Sequence, residues 1–128
     1  MARILIADDD PTIRQLAKFA CEKLGHEVLE SGDAPSAVEL YAQERPDLVI
    51  LDMKMPNGGG QSFLRMLRAS PDRCRVLVIT GVPREVAIEK IDHTQVDHVL
   101  LKPFRIGDVV AAVEKLLGTT PGRPLTSP

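Results

Sequence analysis

At 128 residues the chain has room for one domain. An apolar fraction of 44% and a formal net charge of −2 describe an ordinary globular chain and exclude a broad basic surface for nucleic acid. No apolar run approaches the ~20 residues of a membrane-spanning helix. Met1-Ala2-Arg3 leads straight into a strand-like stretch with no signal-like segment, so a cytoplasmic location is expected.

Arg3 to Ala7 reads as the first strand, and Asp8, Asp9 and Asp10 follow it. Asp10 suits the cap of the next helix, with Pro11 at the first helical position, where a missing N–H costs nothing. Ile13, Leu16, Ala17, Ala20, Cys21 and Leu24 recur at helical spacing, and Gly25 stops that helix. Glu27 to Glu30 is a short second strand. Asp33 and Pro35 open a second helix, with Ala37, Val38, Leu40, Tyr41 and Ala42 expected on its apolar face.

Pro46 precedes Leu48-Val49-Ile50-Leu51, four apolar residues without a polar break. That pattern belongs to a central parallel strand covered on both faces, and it ends in Asp52. Gly58, Gly59 and Gly60 read as a flexible turn before a third helix carrying Phe63, Leu64, Met66 and Leu67, which Ser70-Pro71-Asp72 breaks. Val76 to Ile79 is a fourth buried strand ending at Thr80-Gly81. A fourth helix is expected from about Pro83 to Ile91 and a fifth strand from Val96 to Leu101, ended by Lys102-Pro103. The last helix, Phe104 to Leu117, turns Val109, Val110, Val113, Leu116 and Leu117 inward, and Gly118 ends it. Residues 1–118 then form the domain, and 119–128, rich in Pro, Thr and Gly, read as a flexible tail or linker stub.

Five strands alternating with five helices imply an α/β fold: a parallel sheet with helices on both faces. Periodicity does not set the strand order. Cys21 and Cys74 are lone thiols without a partner at ligand spacing, so reduced cysteine is expected and a thiolate metal site is not. His93 and His98 likewise read as surface histidines.

The chemistry gathers at strand ends, where open α/β sheets place their sites. If the first and third strands are neighbours, Asp8, Asp9 and Asp52 crowd one crevice, and like charges that close call for a cation. Mg²⁺ suits such oxygen donors. The alternatives are a solvated acidic turn for Asp8 and Asp9 and a surface cation for Lys102. Asp52 could act as a nucleophile in phosphoryl transfer, with Lys102 binding phosphoryl oxygens as a point charge and Thr80 donating its hydroxyl.

In spacing and order together, residues 3 to 118 resemble a receiver domain of a two-component response regulator. The resemblance rests on Asp8-Asp9, Asp52-Met53-Lys54-Met55-Pro56, Gly60 eight residues after Asp52, Thr80-Gly81 and Lys102-Pro103-Phe104. It implies a five-stranded parallel sheet of order 2-1-3-4-5, flavodoxin-like, with Asp52 as phosphoacceptor. It also implies Mg²⁺ held by Asp8, Asp9, Asp52 and the backbone carbonyl of Lys54, and phosphoryl contacts from Thr80 and Lys102. The implied partners are a histidine kinase or histidine phosphotransfer domain and an output partner on the face of the fourth helix, fifth strand and fifth helix. No direct nucleic-acid or membrane contact is implied.

The sequence departs from that pattern in places. Val99 stands where many receivers carry a Tyr or Phe that swings inward, Gly59 replaces an acidic residue, and Gln95-Val96 replace a Gly-Ala pair. Ile13 could dock a phosphodonor or lie in the core. Two other functions compete with a signalling receiver. A degenerate receiver would act only as an interaction scaffold. A Mg²⁺-dependent aspartyl phosphohydrolase would want a second aspartate where Lys54 stands. No separate substrate turnover is expected.

Overall fold

Five strands, β1 (Arg3–Ala7), β2 (Glu27–Ser31), β3 (Leu48–Asp52), β4 (Arg75–Thr80) and β5 (His98–Leu101), form one parallel sheet in the order β2-β1-β3-β4-β5. The computed structural model describes residues 1–56, 59–70, 74–81 and 96–117. The expected fourth helix, His93 and the 119–128 tail lie outside the described residues.

The unbroken apolar runs are explained by burial on both sides. Ile4, Ile6, Leu48, Ile50, Leu77 and Ile79 pack against α1 (Pro11–Lys23) and the final described helix, Ile106–Leu117. Their neighbours Leu5, Ala7, Val49, Leu51, Val76 and Val78 pack against α2 (Ala34–Glu44) and α3 (Gly59–Ala69). Alternate strand residues point to opposite faces, so a strand between two helical layers has no polar side. Each fully buried Leu or Ile contributes about 1.5–3 kcal/mol. On the α2/α3 side Tyr41 meets Phe63 edge to face, ring centroids 6.4 Å apart.

The helix starts follow their caps. Asp10 accepts from the Thr12 N–H at 2.9 Å and Asp33 from the Ser36 N–H at 2.8 Å. Gly25, at φ +87°, takes the left-handed position after α1.

Several expectations need correcting. Val38 and Ala42 are exposed, because the i, i+4 pair Ala37 and Tyr41 faces the sheet and the next residues round the helix face away from it. Strand β5 starts at His98 rather than Val96. The Asp97 carboxylate takes the Val76 N–H at 2.7 Å and an Arg68 N–H at 3.2 Å, and the Asp97 N–H donates to the Val76 carbonyl at 2.9 Å, so Asp97 closes that end of β4 with its side chain as well as its backbone. The last helix starts at Ile106 rather than Phe104, with Asp108 reaching back to the Arg105 N–H at 2.8 Å. Gly59 and Gly60 lie within α3 rather than in a turn before it. His98 is half-buried, and burial together with the Lys115 charge lowers its pKa. Cys21 is buried and its thiol is pushed up to about 12, chiefly by burial, so it is inert; neither Cys21 nor Cys74 is in a disulfide. Ile13 is half-buried and packs on the α1-side core.

The sequence does not mark His26, yet it is buried below the start of the sheet, where its Nδ1 accepts the Ala2 N–H at 3.0 Å. Burial lowers its pKa from the ordinary 6.5, the N-terminal ammonium adds to this, and Asp47 opposes it. The unfolded chain therefore binds this proton more readily, and stability is lost as pH falls below about 6.5. Asp8 works in the opposite sense over part of the same range. The His26 share is thus the difference between the wild type and His26→Gln. Relative to that variant, the wild-type urea midpoint should drop by roughly a few tenths molar between pH 7.5 and 5.5. Parallel midpoints across that range would contradict the buried neutral imidazole.

Candidate functional site

The pairing of β1 with β3 matches Ile6 to Ile50 and Ala7 to Leu51. One step further, the same register brings Asp8 beside Asp52. Both follow the apolar parts of their strands and both are buried, at 1% and 2% exposure. Asp9 is exposed and approaches from outside; one carboxylate oxygen from each of Asp8, Asp9 and Asp52 lies within 4.8 Å of the others. Two full charges at such a distance repel by about 3 kcal/mol at an effective dielectric of 20.

The carboxylates differ in what satisfies them. Asp52 Oδ1 accepts the Lys54 N–H at 2.9 Å, and Oδ2 stands 3.6 Å from Lys102 Nζ. That second distance is a charge contact rather than a hydrogen bond, so the ammonium is not committed to this oxygen. Asp8 Oδ1 accepts the Asp10 N–H at 2.8 Å, whereas the buried Oδ2 has no hydrogen-bond partner among the described residues. Burial pushes the Asp8 pKa up to about 7, with the neighbouring Asp52 adding to the rise and the Asp10 N–H and Lys102 opposing it. A buried carboxylate with one uncommitted oxygen, beside two more carboxylates, fits a hard divalent cation: the donors are all oxygen and the charge needs neutralising.

Lys102 is placed by the last rungs of the sheet. Thr80 pairs with Leu101, and the Lys102 N–H then donates to the Thr80 carbonyl at 2.8 Å. The Lys102–Pro103 peptide is cis. Thr80 is buried at the end of β4. The structure thus brings Asp8, Asp9, Asp52, Thr80 and Lys102 to the C-terminal ends of four strands. Lys54 contributes its backbone N–H to Asp52, and its side chain is exposed. Val99, half-buried, packs on the α2/α3 side.

Arg14 was not legible as part of this region. Its Nη1 donates to the Asp8 carbonyl at 2.7 Å. A signal for it does exist. A helix dipole disfavours a cation near its N-terminus, so an arginine there asks for a local acceptor.

The sequence profile described as "Response regulator receiver domain" matches residues 4–114. Response regulator MprA of Mycolicibacterium vanbaalenii is 34% identical over 120 residues, covering 92% of this chain and 51% of its own length, so the chain spans about half of that relative. Sporulation initiation phosphotransferase F of Bacillus subtilis is 31% identical over 115 residues, covering 90% of this chain and 93% of that protein. Among solved structures, the receiver domain of NtrX from Brucella abortus superposes with a TM-score of 0.80 at 27% identity, over 91% of this chain and 99% of that one. With the strand order, the acid-rich strand ends and these matches in agreement, the chain belongs to the response regulator receiver domain family.

Proposed function

We propose that this chain is a phosphoacceptor of a two-component phosphorelay. A histidine kinase or histidine phosphotransfer domain donates a phosphoryl group to Asp52 in the presence of Mg²⁺, and partner affinity changes in consequence. One observation carries the reading: Asp52, buried at the end of the central strand, has an ammonium 3.6 Å from one oxygen and two further carboxylates beside it. Such a group is equipped as a nucleophile toward phosphorus. An Asp52 oxygen attacks phosphorus, the P–N bond to the donor imidazole breaks, and the imidazole leaves with the bonding pair and takes up a proton. Lys102 follows the charge onto the phosphoryl oxygens, and the Thr80 hydroxyl donates to another of them. Asp8, Asp9, Asp52 and the Lys54 carbonyl would hold Mg²⁺, which when bound neutralises charge on the transferring group.

The adduct adds up to about two negative charges to the site. Thr80 and Lys102 lie at the ends of β4 and β5, so the response is proposed to leave through the expected fourth helix, β5 and the final helix. With Val99 offering no ring, threonine movement is the switch. The chain assists its own phosphorylation and dephosphorylation and turns over no separate substrate.

Incubating the wild type with acetyl phosphate should add one phosphoryl group by intact mass when Mg²⁺ is present and none in EDTA. No adduct under either condition would overturn the proposal in favour of an interaction scaffold. Sustained turnover of free phosphate esters would overturn it in favour of a phosphohydrolase.

A further inference from the structure

We propose that Arg14 is the positioning residue of the acidic turn. Its guanidinium fixes the peptide between Asp8 and Asp9, and so pre-sets both carboxylates for a divalent cation. The inference rests on the metal-holding role proposed above for Asp8 and Asp9.

The backbone of Asp8 is held at both ends. Its N–H donates to the Ser31 carbonyl at 3.0 Å, and its carbonyl accepts from Arg14 Nη1 at 2.7 Å. The second bond is charge-assisted and short. Because that carbonyl belongs to the peptide leading into Asp9, holding it sets the directions of two side chains at once. With Oδ1 committed to the Asp10 N–H, Oδ2 is left as the one Asp8 side-chain oxygen still uncommitted.

Arg14 is itself tethered. Its Nε lies 3.7 Å from Glu30 Oε1, and Lys18 Nζ lies 3.3 Å from the other oxygen of Glu30. Gly32 makes room for it: a Cβ there would stand 3.1 Å from Arg14 Nη1. Arginine is the residue for this task because its rigid fork serves the carbonyl and the carboxylate together, which a single ammonium does not.

Charge alone predicts the opposite effect. A guanidinium near a cation site repels the cation, so removing it would tighten Mg²⁺ binding. Positioning predicts that removal weakens it. The test is a Mg²⁺ titration, by calorimetry or amide shifts, of the wild type, Arg14→Met and Gly32→Ala. We expect Arg14→Met to bind Mg²⁺ about tenfold more weakly, as is usual when a group orienting a metal ligand is lost. Gly32→Ala, which keeps every charge and only crowds the guanidinium, should weaken binding by less and in the same direction. Asp52 labelling of Arg14→Met should fall at limiting Mg²⁺ and recover at saturating Mg²⁺, a split that a general loss of structure does not produce. Unchanged or tighter binding by Arg14→Met overturns the positioning role and leaves the acid site intact. A wild type that binds no Mg²⁺ overturns both. Should Arg14→Met fail to fold, Arg14→Lys decides: it keeps the charge but not the fork that serves the Asp8 carbonyl and Glu30 together, and wild-type affinity in that variant overturns the proposal.

Discussion

Asp52→Asn should accept no phosphoryl group from acetyl phosphate and Mg²⁺, while remaining at least as stable as the wild type without metal. The asparagine amide has the shape of the carboxylate but not its charge, and its oxygen is a poor nucleophile. It can still accept the Lys54 N–H, now made to Asp52 Oδ1 at 2.9 Å, so the local fold should persist. The substitution relieves a charge that is 98% buried, along with its repulsion by Asp8 and Asp9. Against this stands the lost charge contact with Lys102 at 3.6 Å. Lys102 is itself partly exposed and can turn toward water, so its loss of a partner costs less than the buried charge did. Intact mass before and after incubation reads the first effect, and a urea titration in EDTA reads the second. An adduct on Asp52→Asn equal to that of the wild type would remove Asp52 as the acceptor. A marked fall in stability would mean that the acid cluster stabilises the fold rather than burdening it.

How much of this was legible depended on where the signal lay. Strands β1 and β3 are buried on both faces, and an unbroken apolar run is what such burial demands. Their boundaries could therefore be read almost to the residue. The order that places β1 next to β3 leaves no trace in periodicity. It came from the resemblance, and the observed register of Ile6 with Ile50 bears it out. Side chains whose partners are backbone atoms distant in sequence were not legible. His26 takes the Ala2 N–H, Arg14 the Asp8 carbonyl and Asp97 the Val76 N–H, and none of these pairings has a spacing that announces it. The helix α2 face was misjudged for another reason. Val38 and Ala42 fit a helical apolar stripe, but the side turned to the core is the narrower one of Ala37 and Tyr41, with Leu40 half-buried beside it.

The glycines after Asp52 were recognised by spacing, but for the wrong physical reason, and this leads to the second large effect. Gly60→Ala should destabilise the protein by about 1–3 kcal/mol and slow Asp52 labelling as well. A Cβ at Gly60 would lie 2.6 Å from the Met53 Cα and 2.7 Å from the Met53 carbonyl oxygen. Both are backbone atoms, so no rotamer change relieves the clash. Either the first turn of α3 or the segment from Met53 to Met55 must move. That segment begins next to Asp52 and carries the Lys54 N–H bonded to it, so the strain is transmitted to the acceptor. Helix propensity works the other way, since alanine is favoured over glycine inside a helix by about 1 kcal/mol, but it is too small to win. Gly59→Ala is the control. Its Cβ would meet the Ala34 Cβ at 2.9 Å and the Met55 Cβ at 3.5 Å, one tight contact on the α2 side in place of the tighter ones that Gly60 would make with the Met53 backbone. It should therefore cost clearly less than Gly60→Ala, with Asp52 labelling little changed. Urea midpoints for the two variants, read with the initial rate of labelling, settle the matter. If Gly60→Ala proves as mild as Gly59→Ala, then α3 does not press its first turn against the backbone beside the acceptor, and the glycine serves chain flexibility after all.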